Sequence, residues 1–405
     1  MKIVLVTSGS LGDVQPMLAL TLGLKEAGHE ALLAGPPEKA GWARTLGCPY
    51  RPFGRDFTAF LDGMRDAHTI RPSLSFLAFV HREVEAQFDS LPEIISGADL
   101  AVGSSLAFAL SHVAESMGIA YRYIAFTPQL LPSAHHPSPL FRRQGLPGWS
   151  NRATWRLTRS IDRLLLARFI NDRRSRLGLR PIGDVWALIL GKRPIVATDV
   201  SIAIVPPDAS PPGTQTGYMH LQQPEQDLPE LEAFLGVGPP PVYAGFGSMP
   251  KKDQEENVPR ILEALRSLGQ RAVIARFWDE SARPADSDDV FLIRRYPHLR
   301  LFPRMAAVVH HGGAGTTASS AISGAPQVIV PHALDQYFWG GRVHRAGLGP
   351  KPLWRSRLTA DRLASAIQEC LSNPRIRQRA VAVAKEIASR DGLEMTVREV
   401  VRDPG

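Results

Sequence analysis

One stretch in the second half of the chain combines a short apolar run, a glycine turn and the beginning of a helix. It reads Ala307-Val308-Val309-His310-His311-Gly312-Gly313-Ala314-Gly315-Thr316-Thr317. The apolar run is typical of a strand that is buried on both faces. Glycines let a backbone approach a ligand closely, and the N-terminus of a helix binds phosphate oxygens. The stretch therefore indicates either a diphosphate site or simply a tight turn between a strand and a helix.

The same alternation extends outward from this stretch in both directions. In the second half we predict strands at 242–246, 271–277, 290–293 and 327–330, and helices at 258–268, 316–323, 335–346, 360–371 and 375–389. In the first half we predict strands at 2–7, 31–34, 99–103, 121–126 and 200–205, and helices at 14–27 and 106–117. Strands that alternate with helices form βαβ units and parallel sheets. The fold class is therefore α/β, with two Rossmann-like parallel-sheet domains.

Proline-rich sequence separates the two halves. Residues 206–213 read Pro-Pro-Asp-Ala-Ser-Pro-Pro-Gly, a composition that suits neither a helix nor a central strand. We predict an N-terminal domain at 1–205, a linker region at 206–240 and a C-terminal domain at 241–375. A chain of 405 residues agrees with this division, because domains contain roughly 100–200 residues.

The composition excludes several classes of protein. Apolar residues make up 44% and charged residues 21%, which is ordinary globular usage and excludes whole-chain disorder. Two cysteines, Cys48 and Cys370, are too few for a disulfide framework or a four-ligand zinc site. We find no apolar run long enough to span a membrane, no signal peptide and no acidic metal cage. A cytoplasmic protein without a metal site is the expectation.

Positive charge is concentrated in one region of this basic chain. The net charge is +8, and residues 142–180 contain eleven arginines. Apolar residues recur there at helical spacing, so the segment is either a surface helix with a solvated basic face or a peripheral contact with an anionic membrane or an acidic partner. Nucleic acid is not an expected partner, because the charge lies in one helical region without interleaved aromatic residues.

Ligands in open parallel sheets bind beyond the carboxyl ends of the strands. Three glycine-containing turns fall there, at 8–13, 245–248 and 310–316, and each precedes a helix. A dinucleotide-binding fingerprint needs G-x-G-x-x-G and an acid at the end of the second strand, and the chain has neither. A nicotinamide-dependent dehydrogenase is therefore disfavoured.

Four groups of residues form a combination that is more specific than any one of them. They are His311-Gly312-Gly313-Ala314-Gly315-Thr316; Gly324-Ala325-Pro326-Gln327 with Pro331 and Asp335-Gln336; Gly9-Ser10-Leu11-Gly12-Asp13-Val14-Gln15-Pro16 with Gly28-His29; and Gly245-Phe246-Gly247-Ser248-Met249. Together they resemble glycosyltransferase family one, in particular the bacterial antibiotic glycosyltransferases and the sterol glucosyltransferases. The resemblance covers both halves in the family's order, but it is loose between residues 55 and 200.

The resemblance implies a GT-B fold, in which two domains face each other across a cleft. The N-terminal domain would bind the acceptor and the C-terminal domain the nucleotide-sugar, and residues 376–405 would form a C-terminal helix that packs back on the N-terminal domain. The residues implied for the donor diphosphate are Ser10, Gly12, Ser248, His311, Gly312, Gly313, Ala314, Gly315 and Thr316. The residues implied for the donor sugar are Asp335 and Gln336, and those for the donor base are Tyr296, Pro297 and His298.

The implied activity is inverting transfer of a hexose or deoxyhexose from a UDP- or TDP-sugar to a hydroxyl of a hydrophobic acceptor, such as a polyketide, macrolide, peptide, sterol or lipid. Asp13 would be the general base, as in bacterial relatives, although an aspartate there could instead cap its helix. The nucleotide-sugar is a co-substrate, so no cofactor and no metal are expected. The alternatives are a non-catalytic nucleotide-sugar-binding protein on the same scaffold and a nucleotide-sugar 2-epimerase. Apolar residues at 53–60, 74–79 and 126–140 would line the acceptor pocket or serve as core.

Overall fold

The computed structural model describes residues 1–56, 71–224, 227–247, 251–275, 288–294 and 296–402, with only the backbone at 71–77 and 251–255. The chain divides into two compact units. Unit 1 comprises Met1–Gln222 together with Asp391–Gly405, and unit 2 comprises Gln223–Arg390.

Unit 1 is built on a parallel sheet that has seven strands within the described residues, in the order β3-β2-β1-β4-β5-β6-β7. The strands are β1 (Lys2–Ser8), β2 (Glu30–Gly35), β3 (Tyr50–Pro52), β4 (Leu100–Ser105), β5 (Ala120–Ala125), β6 (Ile195–Val196) and β7 (Thr214–Gln215). Its first helices are α1 (Leu11–Glu26), α2 (Ala40–Thr45), α3 (Arg71–Ile94), α4 (Leu110–Met117), α5 (Gly148–Asp162), α6 (Arg168–Arg176) and α7 (Val185–Leu190). A π-helical turn, Arg163–Ala167, joins α5 to α6.

Unit 2 is built on a second parallel sheet, which has five strands within the described residues, in the order β10-β9-β8-β11-β12. The strands are β8 (Val242–Gly245), β9 (Ala272–Ala275), β10 (Val290–Ile293), β11 (Ala307–His310) and β12 (Gln327–Ile329). The helices are α8 (Pro229–Gly236), α9 (Lys251–Ser267), α10 (His298–Leu301), α11 (Ala314–Ile322), α12 (Gln336–Arg345), α13 (Ala360–Ser372) and α14 (Pro374–Ala388). The last helix of the chain, α15 (Gly392–Val401), belongs to unit 1.

Apolar sequence explains the central strands of both sheets. Ile3, Leu5 and Val6 of β1 are inaccessible to solvent, as are Val308 and Val309 of β11. A strand that is covered by helices on both faces reads as a continuous apolar run, because no side of it meets water. The two runs that begin the predicted βαβ units therefore become the centres of the two sheets.

The order of strands reverses once in each sheet. In unit 1, β1 lies between β2 and β4, and in unit 2, β8 lies between β9 and β11. Loops that leave the carboxyl ends of two such neighbouring strands diverge to opposite faces, and the crevice between them is where ligands bind. Ligands are therefore expected at the turns after β1 and β4 and at those after β8 and β11.

The linker and the final helical region differ from the sequence prediction. The predicted linker at 206–240 contains β7, which pairs with β6, and the boundary between the units lies at Gln222. The chain returns to unit 1 at Asp391 and not near residue 376. Helix α14, which precedes this point, belongs to unit 2 and buries Ile376, Ala380 and Val383. Helix α15 packs on α1, where a β-carbon on Gly23 would lie 3.2 Å from Val397 Cγ2.

The strand predicted at 200–205 is wrong. The strand of this region is β6, at Ile195–Val196, and the chain turns after it. The N–H groups of Ile202 and Ala203 both bond to the carbonyl oxygen of Asp199, so these two apolar residues are buried in a turn, whereas Ile204 is exposed. Burial alone does not distinguish such a segment from a strand.

The described residues contain neither a candidate membrane span nor a candidate metal cluster. Among them, no helix is both long enough and apolar enough to span a bilayer. Within the same ranges, histidine, cysteine and carboxylate side chains form no group of three that could bind a metal ion.

Candidate active site

Asp13 lies in the first turn of α1, directly after the carboxyl end of β1. Its Oδ2 accepts hydrogen bonds from the backbone N–H of Ser10 at 2.7 Å and from the Ser10 hydroxyl at 2.9 Å. Gly9, with φ +147°, makes room for the carboxylate, because a β-carbon there would lie 2.4 Å from Asp13 Oδ2. The side chain is half-buried, and it does cap its own helix as the sequence allowed.

A second serine holds the other oxygen of Asp13. Ser105, the last residue of β4, donates from its hydroxyl to Asp13 Oδ1 at 2.6 Å. Its φ of +52° is left-handed, a conformation that costs a non-glycine residue of order 1–3 kcal/mol. The buried Tyr123 hydroxyl donates to the Ser105 carbonyl oxygen at 3.1 Å and helps to fix it. Sequence reasoning missed Ser105; the available signal was a polar residue just after the predicted strand at 99–103.

Burial and hydrogen bonding act on the Asp13 carboxyl in opposite directions. Burial raises its pKa, while the hydrogen bonds from Ser105 and Ser10 lower it, and burial dominates. A raised pKa makes a carboxylate a stronger base, so Asp13 combines access, orientation and increased basicity.

Ser10 and Gly12 were predicted to bind the donor diphosphate. Both hydrogen-bond donors of Ser10 point to the Asp13 carboxylate, and Gly12 is exposed at the start of α1. A carboxylate at this helix terminus also opposes the approach of a phosphate. We therefore infer no contact between these two residues and the diphosphate.

In unit 2, His311 lies in a cradle of glycine backbone. Strands β8 and β11 pair with Gly245 opposite His310, so the turns that follow them are neighbours. A β-carbon on Gly247 would lie 2.9 Å from His311 Cε1, and one on Gly313 would lie 2.5 Å from His311 Nε2. His311 Nδ1 is buried and has no hydrogen-bond partner among the described residues. A buried nitrogen without a partner is costly, so a ligand that bound at this turn would stabilise His311 by supplying one.

The N-terminus of α11 follows directly. Gly313 is its N-cap, Ala314, Gly315 and Thr316 form its first turn, and that turn contains no acid. The first N–H groups of a helix have no intrahelical acceptor, and the helix dipole favours an anion there. Gly312 has φ +89°, which only glycine adopts readily. The predicted diphosphate residues His311–Thr316 therefore lie together in one turn and the helix start that follows it.

Four histidines surround this turn, and all are neutral at pH 7. Burial lowers the pKa of His298, His310 and His332 to about 4. The pKa of His311 is also lowered well below its ordinary value, by burial and then by the neighbouring histidines. The positive potential of the turn comes from backbone N–H groups and not from imidazolium charge. Sequence reasoning assigned no role to His332, the fourth of these histidines.

Asp335 and Gln336 begin α12, beside a residue with unusual backbone. Leu334 has φ +49° and a side chain that is 53% exposed. Asp335 is partly exposed, and its Oδ2 accepts from the Trp339 indole N–H at 3.1 Å. Gln336 is buried, and its Oε1 accepts from the N–H groups of His332 and Ala333 at 2.8 and 3.0 Å. Gln336 thus has a clear structural role in this loop, whereas Asp335 is open to solvent.

The residues predicted for the donor base lie at the start of α10. Pro297 is the N-cap of this helix, and the His298 ring stacks on Phe302 with centroids 4.3 Å apart. Tyr243 of β8 meets His298 edge-on at 5.9 Å, and Tyr296 packs against the same cluster. These contacts pack His298 and Tyr296 firmly against the aromatic and apolar residues around α10.

Some predicted residues are buried or lie outside the described ranges. Ser248 and residues 57–60 are among the latter. Phe53, Phe79 and Phe126, from the stretches predicted to line the acceptor pocket, are each at most 8% exposed. These three aromatic rings are therefore part of the packed interior of unit 1.

Comparison with known proteins gave a consistent result. Residues 260–402 match the family model described as "Erythromycin biosynthesis protein CIII-like, C-terminal domain". Glycosyltransferase GtfC of Amycolatopsis orientalis is 34% identical over 408 residues, covering 98% of this chain and 96% of that protein. Sterol 3-beta-glucosyltransferase UGT80B1 of Arabidopsis thaliana is 32% identical, covering 98% of this chain and 67% of that protein.

A solved structure supports the fold. Glycosyltransferase VinC in complex with dTDP superimposes with a TM-score of 0.68 at 21% identity, covering 99% of both chains. The prediction of an α/β fold of the GT-B type is confirmed by this likeness, and that of a sugar-transferring enzyme by the sequence relatives. The chain is a GT-B glycosyltransferase and belongs to the family of the antibiotic-pathway and sterol glycosyltransferases.

Proposed function

We propose that the protein transfers a hexose or deoxyhexose from a UDP- or TDP-sugar to a hydroxyl group of a hydrophobic natural-product acceptor. The transfer inverts the anomeric configuration, needs no metal and uses Asp13 as the general base. The observation that carries this proposal is the Asp13 carboxylate, hydrogen-bonded to Ser10 and Ser105 at the point where the strand order of unit 1 reverses.

The reaction is a single displacement. The acceptor oxygen forms a bond to the anomeric carbon of the sugar while the bond from that carbon to the phosphate oxygen breaks. The acceptor proton passes to the Asp13 carboxylate, and the electron pair of the broken bond leaves with the nucleoside diphosphate. One displacement at one carbon inverts its configuration, so an α-linked donor gives a β-linked product.

Residues of unit 2 stabilise the leaving group. The N–H groups at the start of α11 and one N–H of the neutral His311 donate to the diphosphate. One preorganised donor of this kind contributes roughly 2.7–4 kcal/mol to transition-state stabilisation. Several such donors can take the place of a metal ion, which is why we propose metal-independent transfer.

Names of relatives support the classes of donor and acceptor. The fold neighbour VinC was solved with dTDP, and the plant relative is named for a sterol. We propose a thymidine or uridine diphosphate sugar and a bulky apolar acceptor accordingly. We also propose a cytoplasmic reaction, because Cys48 and Cys370 are both free and buried, as expected in a reducing compartment.

Two measurements test the proposal. The first is a thermal-shift screen of UDP, TDP and their sugars, in which a ligand at about 100 times its Kd raises the free energy of unfolding by ~2.7 kcal/mol. The second is release of nucleoside diphosphate in the presence of acceptor panels, with and without a chelator. We expect one donor class to stabilise the fold, and we expect the chelator to leave turnover unchanged.

The role of Asp13 is tested by Asp13→Asn, which we expect to lower kcat by about 10²–10⁴ while the donor still binds. The matched control is Asp89→Asn, an exposed aspartate on α3 of the same unit, which should keep full turnover. Near-normal kcat in Asp13→Asn would remove Asp13 from the role of base. Donor binding without transfer or hydrolysis for any acceptor would favour the non-catalytic alternative.

A further inference from the structure

A long basic helical segment on unit 1 has no part in the candidate active site. The segment, residues 148–176, consists of α5, the π-helical turn and α6. Its inner side packs through buried residues such as Asn151, Thr158 and Ile170. Its outer side presents large apolar side chains to solvent.

The apolar groups and the arginines of the outer side repeat at the same spacing. Trp149 is 75% exposed, and two Arg-Leu pairs follow, at Arg156-Leu157 and Arg163-Leu164. Leu164 is 80% exposed. Positions seven residues apart lie two turns apart on one side of a helix, so these groups share a face. The exposed face therefore carries both arginines and large apolar side chains along its length.

This region carries most of the excess positive charge of the chain. Residues 142–180 contain eleven arginines and two aspartates, so this segment alone exceeds the net charge of +8 of the whole chain. One of the aspartates, Asp162, faces inward and accepts from the Trp186 indole N–H at 2.6 Å. The acids present in this part of the sequence thus do little to neutralise the outer face.

Ion pairs distinguish two groups among seven of these eleven arginines. Four of them form ion pairs: Arg152 with Asp208, Arg159 with Asp184, Arg173 with Glu85 and Arg174 with Glu115. Arg156, Arg163 and Arg168 are exposed and have no ion pair with any residue that the structure describes. These three, beside Trp149, Leu157 and Leu164, form what we term the basic outer face.

We propose that the basic outer face docks the protein on an anionic bilayer surface. Arginines near such a surface are attracted to its negative potential, while tryptophan and leucine enter the boundary between headgroups and acyl chains. A second copy of this chain fits poorly, because the same arginines would oppose one another. A soluble acidic polypeptide would pair the arginines but would not explain three exposed apolar side chains.

The test is flotation with vesicles of phosphatidylcholine alone and of phosphatidylcholine mixed with phosphatidylglycerol. We expect binding to the mixed vesicles only, weakened by salt because exposed charges are screened. The triple change Arg156→Gln, Arg163→Gln and Arg168→Gln should weaken this binding about a hundredfold, at roughly fivefold per arginine. The double change Trp149→Ser and Leu164→Ser, which keeps every charge, should weaken it as well.

The matched control removes the same charge elsewhere. Arg375→Gln, Arg377→Gln and Arg390→Gln change three exposed arginines of unit 2 and should leave vesicle binding as in the wild type. Unfolding temperatures of all variants establish that each is folded. The test does not depend on glycosyl transfer, so the two proposals can fail separately.

Several outcomes would overturn the proposal. They are no binding of the wild type to the mixed vesicles, equal loss in the unit 2 control, and unchanged binding in the triple variant. Concentration-dependent dimerisation that Trp149→Ser and Leu164→Ser abolish would assign the face to a second copy. Binding to polyglutamate that equals vesicle binding and ignores Trp149→Ser and Leu164→Ser would assign it to an acidic protein.

Discussion

The Ser105 hydroxyl donates a hydrogen bond to Asp13 Oδ1 at 2.6 Å, across the gap between two adjacent strands of unit 1. Ser105 pairs with Ser8 in the sheet register, and the turn from Ser8 leads within five residues to Asp13. The left-handed backbone of Ser105 and the Tyr123 hydrogen bond fix the serine from the other side. The orientation of the candidate base is thus determined by the sheet as well as by its own helix.

The first prediction concerns the pH dependence of turnover. The Ser105 hydrogen bond favours the charged carboxylate and so lowers the pKa of Asp13. Ser105→Ala removes it, so the pKa of Asp13 should rise and the acid limb of the kcat/KM profile should move to higher pH. We expect kcat at the pH optimum to fall about tenfold, since a hydrogen bond to a charged group contributes ~1.5–3 kcal/mol. Steady-state kinetics across the acid range measure both effects.

The control for this experiment is the preceding residue. Ser104 is another serine of β4 and is buried, but its hydroxyl donates to Thr7 Oγ1 at 2.9 Å and not to Asp13. Ser104→Ala should leave the acid limb where it is in the wild type. An unshifted profile in Ser105→Ala would show that this serine does not position the base.

The second prediction separates the hydroxyl from the backbone strain. A left-handed φ near +52° costs alanine roughly 1–2 kcal/mol, whereas glycine adopts it without this cost. Ser105→Gly should therefore be more stable than Ser105→Ala by about 1 kcal/mol, with the same shift of the acid limb. Chemical denaturation of the two variants measures the difference. Equal stability would mean that the left-handed conformation relaxes when the hydroxyl is lost.

The third prediction concerns the glycine cradle in unit 2. Gly313 has φ −65°, so alanine fits its backbone, but the added β-carbon would lie 2.5 Å from His311 Nε2 and must displace the ring. Gly313→Ala should weaken binding of the nucleoside diphosphate by about tenfold or more, equivalent to ~1.4 kcal/mol. Titration calorimetry with UDP and TDP measures this affinity directly.

Gly236→Ala is the matched change for this experiment. Gly236 ends α8 of the same unit, and a β-carbon there would have no neighbour within 4 Å. The control variant should bind the nucleotide as the wild type does. Wild-type affinity in Gly313→Ala would refute the assignment of this turn to the diphosphate.

The sequence predicted the central strands of both sheets because they are continuous apolar runs followed by turns, but it did not predict the short strands β3, β6 and β7. It also predicted the turn at His311, because three glycines within six residues are typical of a tight turn. It failed at 200–205, where Ile202 and Ala203 are buried in a turn, because local periodicity carries no information on which neighbour covers them. It also failed at Ser105, since the meeting of β4 with β1 depends on strand order, which a single sequence does not specify.

The fourth prediction is loss of stability in mild acid. His310 is inaccessible to solvent; its Nδ1 accepts the Gly312 N–H and its Nε2 meets Gln327 Oε1, so the ring cannot take a second proton. Burial lowers its pKa to about 4, whereas an unfolded histidine titrates near ~6.5. Between these values the unfolded chain binds the extra proton, so stability is lost as the pH falls through that window.

His310→Gln should reduce this acid sensitivity. One such histidine contributes about 2 kcal/mol to the loss by about pH 5, so the fall in unfolding temperature from pH 7 should be smaller in the variant. His135→Gln, which changes an exposed histidine of unit 1, should retain the full acid sensitivity. An identical pH dependence in wild type and His310→Gln would show that this histidine is not buried in its neutral form.

The fifth prediction distinguishes two neighbouring residues at the start of α12. Gln336→Ala leaves the N–H groups of His332 and Ala333 without their acceptor, so it should lower the free energy of unfolding by about 1–3 kcal/mol. Asp335→Asn keeps an oxygen for the Trp339 indole and should leave stability unchanged, while it raises KM for the sugar donor. Its affinity for the free nucleoside diphosphate should not change, because only the sugar contact is altered. A stable Asp335→Asn variant with wild-type kinetics would show that Asp335 does not bind the donor sugar.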